Sequence, residues 1–169
     1  MAGNPEPWLR GTLTDVPAVP RAVLHALELA QEDIEKWCGG LTEGDLLARP
    51  MGLAPVAFHL RHIARSLDRI LTYAEGRGLN EGQSAALQTE LDASGSRDQL
   101  FAELASAFLR SAERIRAIDV ATLEDVRTVG KKSLPTTVAG LLVHVAGHTQ
   151  RHVGQAIMTA KVLLAERHG

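Results

Sequence analysis

The sequence predicts an all-α protein, a four-helix bundle with irregular links between its helices. Two observations carry that expectation. Aromatic residues make up only 4% of the chain, and its 45% of hydrophobic residues are mostly Ala, Leu and Val. Ala and Leu are strong helix formers, whereas strands favour aromatic and β-branched side chains. In addition, four long segments repeat apolar residues at three- and four-residue steps, the period of a helix with one buried face. The 169 residues suffice for one domain, 1–169, that buries its own core.

The segments follow in order. Residues 1–16 form an irregular lead-in with Pro5, Pro7 and Gly11. Pro20 suits a first helical turn. From there "RAVLHALELAQEDIEKW" places Val23, Leu27, Ile34 and Trp37 on one stripe, with Gly39 and Gly40 as its end. A connector follows, in which Thr42, Glu43 and Asp45 can start a short turn that Pro50 and Gly52 break. The second long helix is "PVAFHLRHIARSLDRILTYAEG", with Pro55 near its start and Gly76 and Gly78 beyond its end.

"RGLNEGQSAALQTELDASGS" is polar, rich in Gly and Ser, and reads as a linker. Ser96 or Asp98 then opens a third helix whose stripe is Leu100, Leu104, Phe108 and Ile115. "DVATLEDVRTVGKKSLPTT" is irregular, with a turn around Gly130 and no expected strand pair. The last helix is expected from about Pro135 to near Glu166. Within it Gly140, Gly147 and Gly154 recur every seven residues. Glycine in a helix costs about 1 kcal/mol against Ala, so the spacing suggests a seam where another backbone comes close. Tolerated glycines are the plainer reading.

Composition excludes several classes. The net charge is −2 and no run is dense in Lys and Arg, which argues against a duplex nucleic-acid binder. Cys38 is the only cysteine, so no intrachain disulfide forms. No apolar signal-peptide core is visible in "MAGNPEPWLRGT", and no stretch of about 18 apolar residues suggests a membrane span. A cytoplasmic protein is the resulting expectation.

The chemistry lies in the histidines. His144, His148 and His152 recur at steps of four in "HVAGHTQRHVGQ", and His59 and His62 stand three apart on the second helix. A four-residue step returns to nearly the same helix face, displaced by about 40°. Neutral imidazoles bind zinc, nickel, iron or copper, and a catalytic site commonly takes three protein ligands. Each cluster also has a plain reading. His144, in "LLVHVAG", can be a core histidine; His59, near a helix start, can cap the helix or face solvent. His25 and His168 are isolated and read as ordinary. Thr149 stands where a zinc metalloprotease motif has its Glu, no Glu-x-x-His occurs, and neither glycine-rich nucleotide fingerprint is present.

"HTQRHVGQA" and "FHLRHIARSLDRILTYAEG" resemble the DinB/YfiT-like family of small four-helix bundles, and the resemblance extends over most of the chain from "PWLRGT". It implies a divalent metal ion, nickel or zinc, held by one histidine of the second helix and two of the fourth. Carried over, these are His62, His148 and His152, with His59 as the fallback for His62. Val153 departs from the arginine common in the family. His144 is then a nearby donor or a core residue. Gln155, three residues beyond His152, is a candidate for touching a ligand or a bound water, with packing as its alternative. Arg69 and Tyr73 continue the stripe of His59 and His62: Arg69 as a partner for an anionic substrate group or for Asp68 or a surface acid, Tyr73 as a hydroxyl near the pocket or a packing residue.

The resemblance thus implies a metal-dependent enzyme of the thiol S-transferase or isomerase type, acting on a small molecule with a low-molecular-weight thiol. No nucleic-acid or membrane partner is expected, and a homodimer is plausible. The alternative is a non-catalytic metal- or small-ligand-binding stress protein. It draws on the lack of any clear carboxylate base near the ligands.

Overall fold

The computed structural model describes residues 4–91 and 95–167, and among them four long helices dominate. These are α1 (Ala18–Cys38), α3 (Val56–Ala74), α5 (Arg97–Arg116) and α6 (Val138–Glu166); the short helices α2 (Glu43–Leu47) and α4 (Glu81–Gln88) lie in the connections. Two four-residue strands, β1 (Val126–Val129) and β2 (Leu134–Thr137), precede α6, and three single 3-10 turns lie at Pro7–Leu9, Pro50–Gly52 and Val120–Thr122. No helix among the described residues is long and apolar enough to cross a membrane. His168 falls outside the described residues.

Side chains cap the free N–H groups at the starts of two long helices, α5 and α6, and of the short α2. Ser96 accepts from the backbone of Gln99, whose side chain accepts in return from the Ser96 N–H. Thr42 and Asp45 do the same for α2, and the Thr137 hydroxyl accepts from the Gly140 N–H at 3.1 Å for α6. Such caps contribute about 1 kcal/mol each. Pro55, expected in the first turn of α3, stands one residue before it and makes no side-chain cap.

The predicted stripes are the core. Val23, Leu27 and Ile34 of α1 meet Leu60, Ile63 and Leu67 of α3, Leu100, Leu104, Phe108 and Ile115 of α5, and Leu142, Val145 and Val153 of α6. Trp37 is only partly buried, with Lys161 lying 4.0 Å from its ring centre. Helix α3 packs on both α5 and α6, while α6 packs on both α3 and α1. The pairing of α3 with α6 positions the histidines.

Three sequence expectations are corrected. The polar stretch read as a linker contains α4, started by a capping box between Asn80 and Gln83. Its residues are exposed or half-buried, so it lacks the apolar stripe that marks a helix in sequence. The irregular stretch before the last helix holds an antiparallel hairpin, with Val126 opposite Thr137 and Val129 opposite Leu134. Four-residue strands are too short to establish an alternation. Its turn is the one expected at Gly130, whose φ of +71° suits glycine. Pro135 pairs within β2, so α6 begins at Val138 rather than near Pro135.

Among the described residues no other backbone packs on Gly147 or Gly154, so the expected seam does not form there. A Cβ at Gly147 or Gly154 would meet open space, and both residues are exposed. Gly140 differs: a Cβ there would lie 2.7 Å from the Thr136 hydroxyl oxygen.

Candidate metal centre

Helix α3 brings His59 and His62 against α6, which brings His148 and His152. One nitrogen each from His62, His148 and His152 lies within 4.8 Å of the others, and all three side chains are half-buried. Nε2 of His62 is 2.9 Å from Nε2 of His148, and the His62 and His152 ring centres are 4.3 Å apart. Imidazole binds zinc at about 2.0–2.1 Å, so two nitrogens on one tetrahedral ion stand about 3.4 Å apart. The spacing therefore suits a shared cation after small adjustments.

The electrostatics agree with the donor chemistry. Burial first, and then the neighbouring His62, lower His148 and His152 from 6.5 to about 4. At neutral pH both rings keep a lone pair available for a metal. Phe58 stacks on His62 with ring centres 5.5 Å apart and meets His152 edge-on at 6.3 Å. Its apolar ring covers one side of the cluster.

His59 neither caps the helix nor faces solvent. It is buried, its pKa is lowered to about 4 by burial and then by His62, and its Nδ1 lies 3.1 Å from Nδ1 of His152. This contact engages Nδ1 of His152. His144 is exposed rather than a core residue, with its ring centre 5.2 Å from that of His148. His25 is buried beside the lead-in, where Nε2 lies 3.1 Å from the Thr12 hydroxyl.

A carboxylate does stand beside the cluster. Glu90 Oε2 accepts from Nδ1 of His62 at 2.5 Å, and Glu90 Oε1 accepts from Nη1 of Arg69 at 2.5 Å. Burial alone would raise the Glu90 carboxyl, but the His62 and Arg69 hydrogen bonds outweigh it and hold the group below its usual range. Sequence reasoning missed Glu90 because it follows a polar helix 28 residues beyond His62. No local spacing ties the two together. Arg69 pairs with this buried acid rather than with Asp68, which Arg114 and Gln83 engage instead.

A cavity of about 460 Å³ opens on the cluster. His62, Arg69, Tyr73, His144 and His148 line its helical side, and Val129, Leu134, Pro135 and Thr136 of the hairpin line the other. Tyr73 and Arg69 thus both border the space where a ligand would sit. Gln155 does not; it is exposed and borders a separate groove with His59, Leu53 and Thr159.

Fold and cluster define a helical bundle with an imidazole group shared between two facing helices and able to hold a metal ion. The chain belongs to the DinB superfamily, whose family model matches residues 26–156. That span includes His59, His62, His144, His148 and His152 and ends just past Gln155. No curated protein matches the chain.

Proposed function

We propose that His62, His148 and His152 hold a divalent metal ion, nickel or zinc, and that the chain is a metal-dependent enzyme of the thiol S-transferase or isomerase type. The observation that carries this reading is the convergence of three half-buried imidazoles within 4.8 Å of one another, two of which, His62 and His148, line a 460 Å³ cavity. A bound divalent ion supplies Lewis acidity, which lowers the pKa of a thiol or water beside it.

The chain's own residues supply the rest. Phe58 keeps water from one side of the cluster, and His144 stands on the cavity wall within reach of a substrate proton. Tyr73 offers a hydroxyl at the same wall. The sulfur must come from the substrate, because Cys38 is buried and burial pushes its thiol up to about 11. The substrate sulfur would attack an electrophilic carbon after losing its proton to His144 or solvent, and the leaving group would depart with the bonding electrons.

The non-catalytic alternative calls for a closed site with a fourth histidine. His59 is instead tied to His152, and His144 stands out on the wall, so the cluster keeps an open side. The test is purified protein, metal-loaded and metal-free, assayed with small thiols and electrophiles. Acceleration by the loaded form alone is expected; equal rates in both forms and in buffer would remove the enzymatic reading.

A further inference from the structure

The segment Asn80–Leu91 crosses the outside of α3 with an inverted burial pattern. Its leucines, Leu87 and Leu91, are exposed, while the one buried residue is the acid Glu90. Burying a carboxylate is costly unless it is paired and hydrogen-bonded. None of its residues belongs to the apolar core. Polar bonds tie it to one face of α3: Gln83 donates to Asp68 at 2.6 Å, Arg65 donates to the Ala86 carbonyl at 2.9 Å, and His62 and Arg69 reach Glu90. A strap needed only for stability would turn its leucines inward. This one turns its acid inward, onto a histidine of the metal cluster.

We infer that Glu90 is a positioning residue for the metal centre and that, through it, Asn80–Leu91 is latched to the occupied site. This rests on the metal reading above. Glu90 accepts the Nδ1 proton of His62, which fixes the tautomer and leaves Nε2, the atom 2.9 Å from His148, to bind the ion. Arg69 holds the second carboxylate oxygen, so the acid cannot swing away from His62. Coupling is reciprocal: whatever factor Glu90 adds to metal affinity, metal adds to docking of the strap.

The full chain is tested as wild type, Glu90→Gln and Glu90→Ala, with folding checked by circular dichroism. Zinc affinity is measured by chelator competition, the Co(II) absorption spectrum of each protein is recorded, and amide exchange is followed across residues 80–91. Zinc affinity falls about 10- to 100-fold in Glu90→Ala, and less in Glu90→Gln, whose amide oxygen still accepts from Nδ1. The Co(II) spectrum shifts in both variants. Metal slows exchange in the strap of the wild type and not in Glu90→Ala. Wild-type affinity and an unchanged Co(II) spectrum in both variants would overturn the inference while leaving the metal site intact. A wild type that binds neither zinc nor cobalt would overturn the metal reading and the inference with it.

Discussion

Nδ1 of His59 meets Nδ1 of His152 at 3.1 Å, across the interface between α3 and α6. The contact separates the two α3 histidines, since His62 presents Nε2 toward His148 at 2.9 Å while His59 sits behind His152, a ligand in the proposed site. Single changes of His62, His148 or His152 to Ala are therefore expected to abolish stoichiometric metal. His59→Ala should keep the metal with affinity weakened about 10- to 100-fold, as for other groups that orient a ligand. Elemental analysis together with chelator titration checks this. Metal retained in His62→Ala but lost in His59→Ala would reverse the assignment.

Acid should unlatch the metal-free protein over a defined window. His59, His148 and His152 are lowered to about 4 in the folded chain against 6.5 when unfolded, by burial and then by His62. Between those values the unfolded chain binds more protons than the folded one, so stability rises with pH there. The stabilisation is fully present above 6.5, is lost as pH falls through the window, and changes no further from these groups below about 4. Melting temperature of the metal-free protein against pH should show this slope, flattened in the His59→Ala, His148→Ala, His152→Ala triple variant.

The glycines of α6 should respond differently to one substitution. Gly147→Ala and Gly154→Ala place a methyl in open space and remove a poor helix former, so each should stabilise by about 1 kcal/mol. Gly140→Ala brings Cβ to 2.7 Å from the Thr136 hydroxyl oxygen and should destabilise the hairpin junction, with recovery in Gly140→Ala combined with Thr136→Ala. Thermal melts decide the signs. A fall in melting temperature for Gly147→Ala or Gly154→Ala would mean that another backbone, such as a second copy of the chain, packs on that face.

Core truncation gives the largest expected loss. Leu142 of α6 is fully buried within the apolar cluster shared by the long helices. Leu142→Ala should cost about 2–5 kcal/mol, from lost transfer energy and the cavity left behind. Urea unfolding measures it; a cost near zero would mean the surrounding helices close over the gap.

Periodicity along the chain determined the four long helices and their buried stripes. Leu100, Leu104, Phe108 and Ile115 share a face because of helix geometry alone, and His148 and His152 are adjacent for the same reason. The family resemblance marked those two residues by the pattern in the last helix and added His62, with His59 as fallback, from the second. What the sequence could not supply was any relation carried by packing between distant segments. Glu90 follows a polar helix without an apolar stripe, and the hairpin strands are four residues each, too short for a period to register. Both gain their meaning only when α3 packs on α6 and α5, which sets the acid on His62 and the hairpin over the cavity. His144 and His59 exchanged their expected surroundings for the same reason: burial depends on which helix lies opposite, a property of the assembled bundle rather than of the local chain.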